Sequence, residues 1–136
     1  MNSYIGLIGV GVMGQSLVLN MARHNYSVSI YDLNQEKQQT FMNTRAKGSS
    51  LIRSCDTFSE FAESLEKPRK VILLVPAGKA TDTVIKELTL HLEKNDSILD
   101  CGNSYFKDTQ KRESILKEKG IHYFGVGISG GEKGAL

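Results

Sequence analysis

Residues 5–14 read Ile5-Gly6-Leu7-Ile8-Gly9-Val10-Gly11-Val12-Met13-Gly14. A short apolar strand leads here into a Gly-x-Gly-x-x-Gly motif, and a helical pattern starts directly after it. Gly9 allows the tight turn, Gly11 leaves room for a pyrophosphate, and Gly14 lets the helix pack close to the strand. The free N–H groups and positive end of that helix would face the phosphates. The stretch therefore predicts a dinucleotide-binding turn.

The motif alone is a weak signal, because a glycine-rich turn without a ligand has the same pattern. Its context strengthens the prediction. A second strand pattern covers residues 27–31 and ends at Asp32. An acidic residue at this point is expected to accept hydrogen bonds from the ribose hydroxyls of a dinucleotide.

Strand and helix patterns alternate along the rest of the chain. We predict strands near residues 4–8, 27–31, 51–53, 70–75, 97–100 and 122–126, and helices near residues 12–24, 35–45, 57–65, 80–92 and 107–119. This alternation predicts an α/β fold of the Rossmann type, a doubly wound parallel sheet with helices on both faces in three layers. The expected strand order is 3-2-1-4-5-6, with the ligand crevice at the carboxyl ends of strands one and four. The 136 residues suffice for one such domain.

The sequence also predicts which side chains are buried, exposed or at helix caps. The buried stripe of the first helix is predicted to contain Met13, Leu17, Leu19, Met21 and Ala22. The fifth helix is predicted to be mostly exposed and anchored by Ile115 and Leu116. Asp32 or Asn34 is expected to cap the second helix. The basic cluster around Arg69 is interpreted as solvated surface.

The composition and the charge pattern argue against several classes of function. The net charge is +2, from 17 basic and 15 acidic residues, and the lysines are scattered, which argues against a nucleic-acid-binding face. No apolar run approaches the length of a membrane span, and no signal peptide is visible. Cys55 and Cys101 have no metal-type spacing, which favours reduced thiols and no metal site. We expect a cytoplasmic protein with no nucleic-acid or membrane partner.

Four loops are expected to meet at the crevice, namely residues 9–14, 32–34, 75–78 and 101–104. Asn103 either binds the ligand or caps the next helix. The segment Ser129-Gly130-Gly131 either presents N–H groups and a hydroxyl to an anion or forms a flexible tail. Sequence pattern alone leaves both alternatives open.

Five segments together resemble a known family. They are Gly9-Val10-Gly11-Val12-Met13-Gly14, Leu19-Asn20-Met21, Glu66-Lys67-Pro68-Arg69-Lys70-Val71-Ile72-Leu73-Leu74-Val75, Gly102-Asn103-Ser104 and Gly127-Ile128-Ser129-Gly130-Gly131-Glu132-Lys133-Gly134-Ala135. In this order they are similar to the 6-phosphogluconate dehydrogenases, the decarboxylating enzymes of the pentose phosphate pathway. The resemblance covers the whole chain, and the Glu-Lys-Pro-Arg and Ser-Gly-Gly-Glu segments are more specific than the glycine motif.

The resemblance implies an activity and a set of contacts. Enzymes of this family oxidise 6-phosphogluconate with a nicotinamide cofactor and decarboxylate the product to ribulose 5-phosphate. The implied cofactor contacts are Gly9, Val10, Gly11, Val12, Met13, Gly14, Asp32, Leu33, Asn34, Val75, Pro76, Ala77 and Asn103. The implied substrate contacts are Asn103, Ser129, Gly130 and Gly131.

The same resemblance implies that the catalytic residues lie elsewhere. The family's catalytic lysine and glutamate, and most of its dimer contacts, come from a following helical domain that residues 1–136 do not include. Lys133 does not match the motif of the catalytic lysine. We therefore expect this chain to bind dinucleotide with little or no turnover, and the full-length protein to be a homodimer.

Three departures from the family pattern bear on the cofactor. NADP-using members carry Asn-Arg-Thr where this chain has Asp32-Leu33-Asn34, so the arginine that meets the 2′-phosphate is replaced by Leu33. Because a carboxylate repels that phosphate, we predict a preference for NAD over NADP, which Lys37 could weaken. The family's Val-Lys-Ala loop is Val75-Pro76-Ala77 here, and its Asp-Gly-Gly-Asn loop contains Cys101, interpreted as a small filler side chain and not as a reactive thiol.

Two other functions stay open. The loop at Val75-Pro76 and the pair Asp32-Leu33 also resemble the related 3-hydroxyisobutyrate dehydrogenases. A non-enzymatic dinucleotide-binding module would have the same glycine motif.

Overall fold

The computed structural model describes residues 2–75, 78–102 and 106–126. Within them the strands are β1 (Ile5–Ile8), β2 (Val28–Tyr31), β3 (Ile52–Ser54), β4 (Lys70–Leu73), β5 (Ser97–Asp100) and β6 (His122–Gly125). The helices are α1 (Val12–Arg23), α2 (Gln35–Asn43), α3 (Phe58–Glu63), α4 (Lys79–Thr89) and α5 (Phe106–Glu118). No helix in the described ranges is long and apolar enough to cross a membrane.

The described strands form one parallel sheet in the order β3-β2-β1-β4-β5-β6. This confirms the predicted order. The chain leaves β1 toward one edge of the sheet and returns at β4 toward the other, so the order reverses between these neighbours. A crevice for a ligand is expected at that reversal, beyond the carboxyl ends of the strands.

The central strands of the sheet, β1, β2 and β4, are buried on both faces. One face packs against α1 and α2 in a cluster that includes Leu7, Val18 and Phe41. The opposite face packs against α3 and α4 through Phe61 and Val84. Successive strand residues point to opposite faces, which is why the central strands β1 and β4 are apolar at almost every position. The predicted three-layer α/β architecture is confirmed.

The predicted cap of the second helix is observed, and α3 has a cap of the same kind. The side-chain oxygen of Asn34 accepts a hydrogen bond from the backbone N–H of Lys37 at 3.1 Å, and so caps α2. Thr57 caps α3 in the same way, accepting from the N–H of Glu60 at 3.0 Å. These bonds satisfy N–H groups that the first turn of a helix leaves without partners.

The predicted buried stripe of α1 is confirmed only in part. The buried residues of α1 are Gly14, Ser16 and Val18, whereas the predicted residues Met13, Leu17, Leu19, Met21 and Ala22 are only partly buried, although the last four pack against the core cluster. The reason is the close approach of α1 to the loop after β1. A Cβ atom on Gly14 would lie 2.1 Å from the carbonyl oxygen of Gly9, so small residues occupy the line of closest contact.

The inward face of α5 also differs from the prediction. Leu116 is buried as expected, but Ile115 is 50 % exposed. The second inward residue is Arg112, which is only 5 % exposed and lies one helical turn before Leu116. A charged residue therefore occupies a position that was interpreted as solvated surface.

Arg69 is likewise buried, contrary to the prediction of a solvated cluster. Its Nε donates to the carbonyl oxygen of Ala62 at 2.8 Å, and its Nη1 lies 3.0 Å from Oδ2 of Asp96. Asp96 is 1 % exposed and also accepts from the N–H groups of Arg69 and Glu93, at 2.7 and 2.8 Å. We call Arg69, Glu93 and Asp96 the amino-edge network, because Arg69 and Asp96 immediately precede β4 and β5.

Candidate functional site

The glycine motif forms the turn between β1 and α1. Gly9 has a φ of +108°, a conformation that side chains rarely adopt, and its Cβ would lie 2.2 Å from the carbonyl oxygen of Leu74. Gly14 is fixed by its contact with the same turn. These two glycines are therefore required by the packing of β1, β4 and α1.

Gly11 has no such packing role. Its φ is −81°, an ordinary value, and the atom nearest to a Cβ placed on it is Nζ of Lys37 at 3.8 Å. The fold would accept a side chain at this position, yet the residue is glycine. Free space above a helix start is what a pyrophosphate needs in order to approach the backbone.

A cleft of about 370 Å³ lies over this turn. It is lined by Ile8, Gly9, Gly11, Asp32, Leu33, Lys37, Leu74, Val75, Ala80 and Val84. The structure thus brings together residues from the ends of β1, β2 and β4, three of the four predicted loops. Apolar walls with a few polar groups at the ends are typical of cofactor sites.

The charges around the cleft favour an anion near Gly11. As the N-cap of α1, Gly11 contributes no side chain to the N–H groups of the first turn, and that turn contains no acidic residue. Lys37 is exposed on α2 and directs its ammonium group toward Gly11. The start of α1 and Lys37 therefore both favour an anion where the motif predicts phosphates.

Asp32 connects the end of β2 to the glycine turn. Its Oδ2 accepts from the N–H of Val10 at 2.7 Å, and its Oδ1 accepts from the N–H of Asn34 at 2.8 Å. Each carboxylate oxygen keeps acceptor capacity for a further donor, such as a ribose hydroxyl. The carboxylate thus has a fixed direction before any ligand arrives.

Gln38 supports Asp32 and was not identified from the sequence. Its Oε1 accepts from the N–H of Asp32 at 2.8 Å, and its Nε2 donates to the carbonyl oxygen of Cys55 at 2.8 Å. Gln38 is 2 % exposed. The sequence did contain a signal for Gln38: it is a polar residue three positions before Phe41, on the inward face of α2.

The loops after β4 and β5 touch each other. A Cβ on Gly102 would lie 2.7 Å from the carbonyl oxygen of Val75. The N–H of Gly102 donates to Oδ1 of Asp100 at 3.1 Å, which fixes the turn after β5. Burial, and then the nearby Asp100 carboxylate, raises the pKa of the Cys101 thiol to about 11. The thiol stays neutral at physiological pH, consistent with a filler side chain.

Four residues below these loops form what we call the carboxyl-edge network: Asp82, Asp100, Arg112 and Tyr123. Arg112 Nε donates to Oδ1 of Asp82 at 2.7 Å, and its Nη1 lies 3.6 Å from Oδ2 of Asp100. The hydroxyl of Tyr123 donates to the same Asp100 oxygen. Burial, and then Asp100, raises the pKa of Tyr123 well above its usual range, so this hydroxyl keeps its proton.

Of the remaining predicted site residues, three lie in the glycine turn and six lie outside the described residues. Val10 is buried, Val12 is 61 % exposed, and Met13 is partly buried at the start of α1. Pro76, Ala77, Asn103, Ser129, Gly130 and Gly131 lie outside the described residues. Their predicted contacts stay predictions.

The comparison with protein families covers almost the whole chain. A family model described as the NAD binding domain of 6-phosphogluconate dehydrogenase matches residues 4–136. Two curated relatives from Bacillus subtilis (strain 168) are each 48 % identical over 132 residues, which is 97 % of this chain and 28 % of the relative. One is named a 6-phosphogluconate dehydrogenase that is NADP(+)-dependent and decarboxylating, and the other is named as the NAD(+)-dependent form.

A solved structure gives the same match. The 6-phosphogluconate dehydrogenase of Plasmodium falciparum, described in its apo form and in complex with NADP+ and with 6-phosphogluconate, superposes with a TM-score of 0.90 at 41 % identity. The match covers 97 % of this chain and 28 % of that one. The chain therefore spans a little over a quarter of the length of these relatives.

Proposed function

Since this chain belongs to the family of NAD-binding domains of 6-phosphogluconate dehydrogenase, we propose that it binds a nicotinamide dinucleotide in the cleft above Gly11. The observation that carries this proposal is Gly11 itself, a glycine with no packing requirement beside a helix start and a lysine. The pyrophosphate would lie against residues 9–14, and Asp32 would bind the adenosine ribose. The other half of the cofactor would then extend over β4 and β5.

For the full-length protein we propose the activity of the family, oxidation and decarboxylation of 6-phosphogluconate to ribulose 5-phosphate with reduction of the cofactor. Asn103, Ser129, Gly130 and Gly131 are the proposed substrate contacts within this chain. The catalytic lysine and glutamate would come from a following helical domain. The proposal includes a homodimer and a reducing compartment such as the cytoplasm, the latter supported by the two free thiols.

We further propose that NAD is preferred over NADP. Two unit charges of like sign 4 Å apart repel by about 1 kcal/mol in water, and by more near a protein surface. A 2′-phosphate beside Asp32 would meet this repulsion, and Leu33 offers no compensating charge. Lys37, whose ammonium group lies near Gly11, opposes the effect. We expect NADH to bind about tenfold more tightly than NADPH, which corresponds to 1.4 kcal/mol.

Fluorescence titration of the chain with NADH and NADPH at matched salt tests both proposals. The protein contains no tryptophan, so nucleotide emission has little background. NADH should bind more tightly, and Gly11→Ala should weaken both nucleotides while lowering the melting temperature far less than Gly9→Ala does. Binding of neither nucleotide contradicts the proposed site, and tighter binding of NADPH contradicts the predicted role of Asp32.

Single substitutions separate the contributions of Asp32 and Lys37 to the cofactor preference. Asp32→Asn should shift the ratio of affinities toward NADPH, because it removes the carboxylate charge. Lys37→Gln should weaken NADPH more than NADH, whereas Lys47→Gln, at an exposed position outside the cleft, serves as the matched control. Equal effects of the two lysine variants would show that Lys37 makes no specific contribution to NADPH binding.

The substrate is tested on the full-length protein. Steady-state assays with 6-phosphogluconate and with 3-hydroxyisobutyrate should give turnover with the former only. Turnover with 3-hydroxyisobutyrate alone would instead favour the related dehydrogenases, and light scattering of the same preparation tests the homodimer.

A further inference from the structure

Arg112 makes contacts on two sides of the carboxyl edge of the sheet. On the side of α4, its Nη2 donates to the carbonyl oxygen of Gly78 at 3.3 Å and its Nε donates to Asp82 at 2.7 Å. On the side of β5, its Nη1 faces the carboxylate of Asp100 at 3.6 Å. One guanidinium therefore joins the start of α4 to the end of β5.

The two segments that Arg112 joins carry proposed cofactor loops. Gly78 ends the loop that follows β4 and contains Val75, a lining residue of the cleft. Asp100 fixes the turn at Gly102, and the backbones at Gly102 and Val75 are in close contact. A shift of Arg112 would change the distance between these loops.

We propose that Arg112 is a positioning residue that fixes the distance between Gly78, at the start of α4, and Asp100, at the end of β5, for binding of the second half of the dinucleotide. The inference rests on the proposed function. Arg112 does not line the cleft; it lines a separate groove between α4 and α5. It acts through Gly78 and Asp100, whereas Asp32 and the glycine turn hold the adenosine half independently.

A purely structural role is the alternative, and Arg69 provides the matched control. Arg69 is 8 % exposed and Arg112 5 %, and each pairs with an aspartate that is at most 1 % exposed. Arg69 lies at the opposite edge of the same two strands, away from the cleft. Loss of a buried ion pair alone should therefore affect the two variants alike.

The test compares Arg112→Lys and Arg112→Met with Arg69→Lys and Arg69→Met. Affinities for NADH and for ADP, which lacks the nicotinamide half, are measured by calorimetry at a temperature where circular dichroism shows every variant folded. Both Arg112 variants should weaken NADH by about tenfold and leave ADP within about twofold, because a misplaced loop affects only the groups that it contacts. Both Arg69 variants should leave both affinities within about twofold, whatever their melting temperatures.

Asp82→Asn keeps the test decisive if the arginine variants unfold. The Asp82 side chain is 63 % exposed, so its loss should cost little stability, yet it removes the 2.7 Å anchor of Arg112. It should weaken NADH severalfold with ADP unchanged. Equal losses for NADH and ADP, or an unchanged NADH affinity, would overturn the positioning role. A wild-type chain that binds neither nucleotide overturns the proposed function as well, which distinguishes the two failures.

Discussion

The two edges of the sheet carry similar ionic networks with different neighbours. At the amino edge, Arg69 and Asp96 bind each other and the backbone around them, including the carbonyl oxygen of Ala62. At the carboxyl edge, Arg112 and Asp100 bind segments that continue into the cleft. Burial and pairing alone do not tell a structural cluster from a functional one. The position of the cluster relative to the strand ends does, because ligands of parallel sheets bind at the carboxyl edge.

The largest effect on stability is expected at the amino edge. Asp96→Ala removes the acceptor of two backbone N–H groups and of a buried guanidinium. Leaving that charge unpaired should lower the free energy of unfolding by about 3–5 kcal/mol, as measured by urea denaturation. Glu93→Gln, whose side chain is 53 % exposed, should cost much less than Asp96→Ala. A loss below 1 kcal/mol for Asp96→Ala would mean that the amino-edge network does not stabilise the fold.

The glycine turn, residues 9–14, also contains one structural residue, Gly9, and one proposed binding residue, Gly11. Gly9→Ala should cost about 2–4 kcal/mol, because it combines a positive φ with a clash against the Leu74 carbonyl. Gly11→Ala should cost at most about 1 kcal/mol, the usual penalty for alanine at a helix N-cap. Thermal unfolding of the two variants checks the difference. Equal losses of stability would contradict a ligand-based reason for Gly11.

A smaller effect is expected for Tyr123→Phe at the carboxyl edge. It removes one hydrogen bond to a buried carboxylate that keeps its contacts with Gly102 and Arg112, so the cost should be about 1–2 kcal/mol. Since the pKa of Tyr123 is raised on folding, the unfolded chain loses this proton first as pH increases. Stability should therefore fall above about pH 10, the pKa of an exposed tyrosine.

Urea titrations between pH 8 and pH 11 measure that dependence. The fall in stability should be shallower in Tyr123→Phe than in the wild-type chain. Parallel curves for the two proteins would show that Tyr123 has an ordinary pKa in the folded state.

The smallest response is expected from Cys101. With a pKa of about 11, its thiolate fraction at pH 8 is on the order of a hundredfold below that of a free cysteine. Iodoacetamide should leave it unmodified in the folded chain and react rapidly after urea is added, as followed by mass spectrometry. Rapid alkylation of the folded protein would contradict the filler interpretation.

The sequence predicted what short-range patterns encode. The glycine motif, the apolar strands and the cap at Asn34 depend on neighbouring residues, so the strand order and the crevice followed from them. The predicted close packing at Gly14 has the same local origin.

The buried charges could not be predicted in this way. Arg112 and Asp82 are thirty positions apart, and Arg69 and Asp96 twenty-seven, so no local pattern marks either pair. Each arginine lies in a charged stretch, where a solvated side chain is the ordinary expectation. Gln38 was missed because its partners, Asp32 and Cys55, are brought together only by the sheet.

Hydrogen–deuterium exchange of the chain with and without saturating NADH tests the central contrast most directly. At exchange times shorter than global unfolding, we predict protection in residues 9–14, 32–37 and 73–80 on addition of NADH, and no change in residues 64–70 and 93–97. That result would identify the carboxyl edge as the binding edge and the amino edge as structural. Protection confined to the amino edge, or no protection at either edge, would contradict the account.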